Sequence, residues 1–141
     1  AYGPGQPLPP SHAPVIPQFL KQVTSGGSAV MFGSGHQTRD FVYIDDVVDA
    51  LVAAGRAESV SQATINVGSG AEVSIAQLLD AIEEAAGVQA HRLRNDSEEP
   101  GVSRLVADTR LAREKLGFAP KVSLEEGLRL TLKNDPRFAR A

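Results

Sequence analysis

The chain has 141 residues, 42% of them hydrophobic and 22% charged, with a formal net charge of −3; that suits one domain burying roughly two-thirds of its unfolded surface. The negative charge and the 5% aromatic content, with no Trp, argue against a nucleic-acid surface built on basic and stacking side chains. With no Cys there is no disulfide, thiolate nucleophile or zinc ribbon, and the apolar runs are too short for a membrane-spanning helix.

Ala1 opens the chain and the single Met is Met31. The stretch Tyr2-Gly3-Pro4-Gly5-Gln6-Pro7 is turn-rich and has no regular element before it, so the start reads as cut from a longer polypeptide. It carries no basic region followed by an apolar run and does not read as a signal peptide. Val15, Ile16, Phe19, Leu20 and Val23 then fall on one helical face, with Pro17 tolerated in the first turn and Gly26-Gly27 as the stop. Residues 29–32 form an apolar strand, followed by a polar, glycine-rich loop from Gly33 to Thr38. Residues 41–44 read as a second strand, after which Asp45 or Asp46 caps a helix with Val47, Val48, Leu51 and Val52 on one side.

Residues 64–67 are strand-like and Gly68-Ser69-Gly70 breaks them. Ser74 and Gln77 form a capping box for a helix whose core stripe is Ile75, Leu78, Leu79, Ile82 and Ala86; Gly87 ends it in the left-handed conformation. A short strand is expected over residues 89–93, then a polar, turn-like stretch to Ser103. Asp108 or Thr109 caps a helix through Leu111, Ala112 and Leu116, closed by Gly117. Ser123 and Glu126 form a second capping box, for a helix carrying Leu124, Leu128 and Leu132; residues 137–141 read as a frayed tail. Strands and helices alternate, so the fold class is α/β, with a small sheet, flanking helices and a partner layer missing.

Arg39-Asp40 is the sharpest local feature. A guanidinium between a glycine-rich loop and an apolar run suits a diphosphate, whereas the plainer reading is an ion pair with Asp40 or Asp45. Neither Gly33-Ser34-Gly35 nor Gly68-Ser69-Gly70 is followed by Gly-Lys-Ser/Thr, so neither is a P-loop. The second lacks the third glycine of a dinucleotide fingerprint, since Val73 stands in its place, and reads as a structural turn. His12, His36 and His91 have no metal-ligand spacing, and no nucleophile elbow supports a hydrolase triad. Arg104, after Pro100-Gly101, is either a solvated Arg or a clamp for phosphate or sugar carboxylate; Phe32 is either core or a base-stacking ring.

Six blocks in order resemble one family. They are the Tyr2-Gly3-Pro4-Gly5-Gln6 segment, the run Phe32-Gly33-Ser34-Gly35-His36-Gln37-Thr38-Arg39-Asp40-Phe41-Val42-Tyr43-Ile44-Asp45-Asp46-Val47, and the turn Asn66-Val67-Gly68-Ser69-Gly70. Next come Pro100-Gly101 through Ala107-Asp108, then Leu116-Gly117-Phe118-Ala119-Pro120, then Ser123-Leu124-Glu125-Glu126-Gly127-Leu128. The chain resembles the C-terminal, substrate-binding part of the extended short-chain dehydrogenases/reductases of the NAD-dependent sugar epimerase/dehydratase type, with their Rossmann-type scaffold. The members it resembles are UDP-sugar 4-epimerases, including those acting on UDP-glucose and UDP-glucuronate, with 4,6-dehydratases and reductases as relatives on the same scaffold.

That resemblance implies a division into a linker from a cofactor domain (residues 1–13), a nucleotide-sugar-binding domain (14–136) part of which packs back on the Rossmann sheet, and a tail (137–141). Arg39 matches the family Arg on the substrate diphosphate. Val30, Met31 and Phe32 match the strand end that lines the base pocket with backbone groups and an aromatic ring. Arg104 matches a position near phosphate or ribose, although here Glu99-Pro100-Gly101-Val102-Ser103-Arg104 lacks the Arg before Pro, the Asp after Gly and one residue of the family pattern. The family's catalytic Tyr-x-x-x-Lys and its NAD glycine fingerprint are absent from these 141 residues, and Tyr43 is followed at the fourth position by Val47, not Lys. The implied parent is a cytoplasmic homodimer that interconverts C4 epimers of a UDP-hexose or UDP-hexuronate through a 4-keto intermediate with NAD, NADP remaining open. The chain alone is expected to show no turnover; the alternative is a stand-alone nucleotide-sugar-binding module, which tight UDP binding by the isolated chain favours, whereas an exposed apolar face with weak or absent binding favours the fragment. No metal, nucleic acid or membrane partner is implied.

Overall fold

The computed structural model describes residues 1–58, 60–96 and 101–138. In chain order the elements are α1 (Val15–Thr24), β1 (Ser28–Phe32), β2 (Thr38–Arg39), α2 (Ile44–Arg56), β3 (Val73–Ser74), α3 (Ile75–Ala86), β4 (His91–Asn95), β5 (Arg104–Leu105), α4 (Arg110–Leu116), α5 (Leu124–Asn134) and a closing 3-10 turn (Pro136–Phe138). The class is α/β as expected, but the strands form two small sheets. β1 pairs in parallel with β4, from Ser28 opposite His91 to Phe32 opposite Asn95. β2 lies between β3, antiparallel, and β5, parallel. No helix among the described residues is long and apolar enough to cross a membrane.

The main core sits where α1, α3 and α5 meet behind β1. Leu20, Leu78, Leu79, Ile82 and Leu128 are fully buried there, with Phe19 and Val23 beside them. Each such side chain contributes roughly 1.5–3 kcal/mol on leaving water. α3 is set at both ends by its own sequence. Ser74 Oγ accepts from Gln77 N at 3.1 Å and Gln77 Oε1 accepts from Ser74 N at 2.9 Å, while Gly87 closes the helix at φ 63. A smaller cluster of Ala50, Ala112 and Phe118 joins α2 to α4.

Several expectations shift. Residues 41–44 are not a strand: Tyr2 makes an isolated parallel bridge with Tyr43, Tyr2 N donating to Val42 O at 3.0 Å and Ile44 N to Tyr2 O at 2.9 Å, and α2 begins at Ile44. Neither Asp45 nor Asp46 caps that helix. Asp46 is buried and accepts from Lys121 N at 3.0 Å and Val122 N at 3.1 Å, which turns the Asp46–Ala50 face of α2 inward. The apolar stripe read on α2 is therefore exposed, Val48 by 48%, Leu51 by 66% and Val52 by 46%. Residues 64–67 have no strand partner among the described residues, while the two-residue β3 and β5 arise where no strand is expected.

Both ends of the expected domain are more firmly held than a linker and a tail would be. Tyr2 is buried against Tyr43 in an edge-on contact, ring centroids 5.6 Å apart, and its hydroxyl donates to Leu124 O. Gly5 N donates to Asp135 Oδ2 at 2.8 Å, and Arg137 binds Asp135 and the carbonyl of Gln6. Phe138 is buried, so residues 137 and 138 are not frayed: the Asp135–Arg137 pair anchors them. The remainder of the expected tail, residues 139–141, lies outside the described residues, as does Pro100.

Candidate functional site

Side chains alternate along β1, and this divides the expected base-pocket residues. Val30 and Phe32 line a cavity of about 550 Å³, while the Met31 side chain packs on the opposite side against the core. Arg39, at the end of β2, lines the same cavity, joined by Gln37, Ile75 and the loop residues Ser11 and His12. The β1–β2 loop is held by the end of β4 and by the start of α3. Gly33 N donates to Asn95 O at 2.9 Å; Ala76 N and Ile75 N, the first donors of α3, reach Gly35 O at 3.0 Å and Gln37 O at 3.1 Å. Gly35 has φ 74, a left-handed conformation that favours glycine, and a Cβ there would also meet the flexible end of the Met31 side chain.

Arg39 is half-buried. Its Nη1 donates to the carbonyls of Thr38 at 2.7 Å and Val102 at 2.8 Å, and it forms no ion pair with Asp40 or Asp45 among the described residues. The plainer reading of Arg39-Asp40 as a surface pair is thereby overturned. Nη1 is anchored to backbone oxygens, and the rest of the planar fork makes no other hydrogen bond among the described residues. Such an arrangement can take a phosphate oxygen without first breaking a salt bridge.

Asp40 is occupied elsewhere. Its carboxylate accepts from Ser69 N at 2.7 Å, Ser69 Oγ at 2.6 Å, Gly70 N at 2.9 Å and Ala107 N at 3.2 Å. These bonds stitch the Gly68-Ser69-Gly70 turn and the exit of β5 to the end of β2. They also decide what that turn can hold. Its N–H groups are committed to Asp40, and Val73 occupies the third glycine position, so the turn does not fit a dinucleotide pyrophosphate.

Arg104 does not join the cavity. It stands opposite Thr38 in the β2–β5 pair, one residue out of phase with Arg39, and so emerges on the other face of the sheet. There its Nε donates to Glu72 Oε2 at 2.9 Å, in an exposed pair. The Thr38 hydroxyl, bonded to the same carboxylate at 2.8 Å, and then Arg104 hold Glu72 below the usual carboxylate range. The structure brings Val30, Phe32 and Arg39 together and leaves Arg104 outside.

Tyr43 is a core residue. Burial first, then Asp45, pushes its phenol up, the opposite of what a tyrosine base needs. No group of three or more His, Cys, Asp or Glu side chains able to hold a metal lies among the described residues. A second cavity of about 550 Å³, between Phe41, Ala81, Val122 and the start of α5, contains none of the expected residues. Sequence reasoning missed Gln37 and His12. Gln37 lay inside a quoted family-like block with no role attached, and His12 is conspicuous only through its backbone, at φ 54.

Comparison with known proteins gives relatives in sequence and in fold. Residues 1–68 match the model of the NAD dependent epimerase/dehydratase family. The chain is 38% identical over 131 residues to a UDP-glucose 4-epimerase of Mycolicibacterium smegmatis, an alignment that covers 93% of this chain and 41% of the relative. The crystal structure of a UDP-glucose 4-epimerase from Thermotoga maritima with UDP-glucose superposes with a TM-score of 0.85 at 36% identity, over 94% of this chain and 42% of that one. A UDP-glucuronic acid 4-epimerase from Bacillus cereus, in complex with UDP-glucuronic acid and NAD, superposes with a TM-score of 0.83 at 31% identity, over 94% and 41%. The chain thus spans about two-fifths of the length of these relatives. Residues 1–68 thus resemble the NAD-dependent epimerase/dehydratase family in sequence, and nearly the whole chain is similar in fold to the solved sugar-nucleotide epimerases.

Proposed function

We propose that this chain is the nucleotide-sugar-binding portion of an NAD-dependent sugar-nucleotide 4-epimerase acting on a UDP-hexose or UDP-hexuronate. The observation that carries the reading is the convergence of Val30, Phe32 and Arg39 on one cavity, with most of the Arg39 fork uncommitted among the described residues. Val30 and Phe32 supply an apolar wall and strand-end backbone groups for the base, Met31 contributes through its backbone alone, and Arg39 takes the diphosphate. Arg104, tied to Glu72 on the far face, has no part in this assignment. NAD belongs to the remainder of such an enzyme, because no turn described here fits it. The role of this chain is to bind and orient the sugar nucleotide.

The exposed stripe of Val48, Leu51 and Val52, with Ile44 beside it, supports a missing partner layer: a contiguous apolar helix face is a contact surface. We assign it to the cofactor-binding layer that such enzymes require. Titration of the 141-residue chain with UDP, followed by backbone and Arg side-chain NMR signals, tests the reading. UDP should perturb residues around Val30, Phe32 and Arg39, and Arg39→Ala should weaken binding at least tenfold, the value of one charge-assisted bond of about 1.5–3 kcal/mol. The absence of UDP-dependent shifts up to about 10 mM, a free energy near −2.7 kcal/mol, would overturn it. Turnover of UDP-glucose by the chain alone would overturn its assignment as a binding portion.

A further inference from the structure

Gln37 carries a buried acceptor with no partner among the described residues. Its Nε2 donates to the carbonyl of Phe32 at 2.9 Å, while its Oε1 is buried and makes no hydrogen bond among them. A carbonyl can only accept, so the amide cannot be turned over to exchange the two atoms. The backbone is equally fixed, since Ile75 N holds the Gln37 carbonyl at 3.1 Å. An acceptor buried in this way is costly to leave unpaired, and native structures keep few of them. This one belongs to a residue in the wall of the cavity that Phe32 and Arg39 share.

Its position narrows the donor that would satisfy it. Gln37 is clamped to the end of β1, where the base is placed above, and stands two residues before Arg39, where the diphosphate is placed. In a nucleotide the pentose joins those two groups, and its hydroxyls are O–H donors. We propose that Gln37 is a specificity-determining residue whose Oε1 accepts a hydrogen bond from a pentose hydroxyl, so that the cavity selects ribonucleotides over their deoxy counterparts. The inference rests on the nucleotide reading of the cavity and extends it to the sugar between base and phosphate. A site with a buried acceptor discriminates strongly against the ligand lacking the donor, because that ligand leaves the acceptor unpaired.

UDP, 2′-deoxy-UDP and 3′-deoxy-UDP distinguish the outcomes when titrated by NMR into the wild-type chain and into Gln37→Met, which keeps side-chain length but removes the acceptor. The wild type should bind UDP about tenfold more tightly than at least one deoxy analogue. Gln37→Met should bind all three alike, at the level of the disfavoured analogue on the wild type. A merely structural role would weaken all three ligands together and leave their ratio unchanged, and that result overturns the proposal. So does equal binding of the three by the wild type, which decides the matter even should Gln37→Met fail to fold. If equal binding is accompanied by an intact Arg39→Ala loss, only the role of Gln37 falls; if UDP does not bind the wild type at all, the nucleotide reading falls with it.

Discussion

Replacing Asp40 should unfasten the sheet that carries Arg39. The carboxylate accepts four hydrogen bonds, from two donors of Ser69 and from the backbone of Gly70 and Ala107. Hydrogen bonds to a charged group contribute about 1.5–3 kcal/mol each, but they are not additive. Gly70 is exposed and water can replace its bond, whereas Ser69 and Ala107 are half-buried and Gly68 beside them is buried. Counting those two backbone donors as orphaned gives a loss of about 3 kcal/mol for Asp40→Ala. Asp40→Asn should lose about 2 kcal/mol, because its amide nitrogen must face N–H groups on one side. With a urea slope near 1.5 kcal/mol/M for a domain of this size, the Asp40→Ala midpoint should fall by about 2 M in urea unfolding followed by circular dichroism. A midpoint within about 0.5 M of wild type would refute the reasoning, since it would mean that water satisfies the turn as well as Asp40 does.

Gly127→Ala separates helix propensity from packing by sign. Propensity alone predicts about 1 kcal/mol of stabilisation in α5, but the new methyl would strike the Tyr2 hydroxyl and sit 2.8 Å from Tyr2 Cζ and 3.0 Å from Tyr43 Cδ2. A net loss of about 2 kcal/mol in thermal unfolding is expected, and a stabilised variant would show that Tyr2 is not seated there. Acid should destabilise the fold. Asp135 is held well below the usual carboxylate range by the Arg137 guanidinium first and by the N–H groups of Gly5 and Arg137, and Glu83 is lowered chiefly by Arg92. Depressed folded pKa values mean that their stabilisation is complete above the unfolded value near about 4 and is lost as pH falls through the folded values. Melting temperatures should therefore be level from about pH 5 to 7 and decline below about 4, less steeply in Asp135→Asn; a wild-type curve flat to pH 2 would contradict this.

Legibility followed how local the deciding interaction was. α1 and α3 could be read from the spacing of Phe19, Leu20 and Val23 and of Leu78, Leu79 and Ile82, because a helix satisfies its own backbone and its buried stripe repeats over whole turns. The Ser74–Gln77 box and the caps at Gly87 and Gly117 involve neighbours in sequence and were equally plain. Residues 41–44 and 64–67 have β-like composition, but a strand needs a partner. Tyr2 offers the first stretch only an isolated bridge, and the second pairs with nothing among the described residues. On α2 the apolar stripe pointed the wrong way because Asp46, a residue that composition sends to the surface, is held inside by two backbone donors seventy-five and seventy-six positions away. At the site, Arg39 could be anticipated from its motif. The exclusion of Arg104 depends on a register between β2 and β5 that no single stretch encodes.

The clasp between Tyr2, Gly5 and Asp135 has a mechanical consequence. Tension applied at residue 1 does not first peel away α1 and β1: it enters through the two backbone bonds that flank Tyr2, at 3.0 and 2.9 Å, and passes to the last helix through Leu124 and Asp135. Load on the opening segment is therefore shared with the closing one.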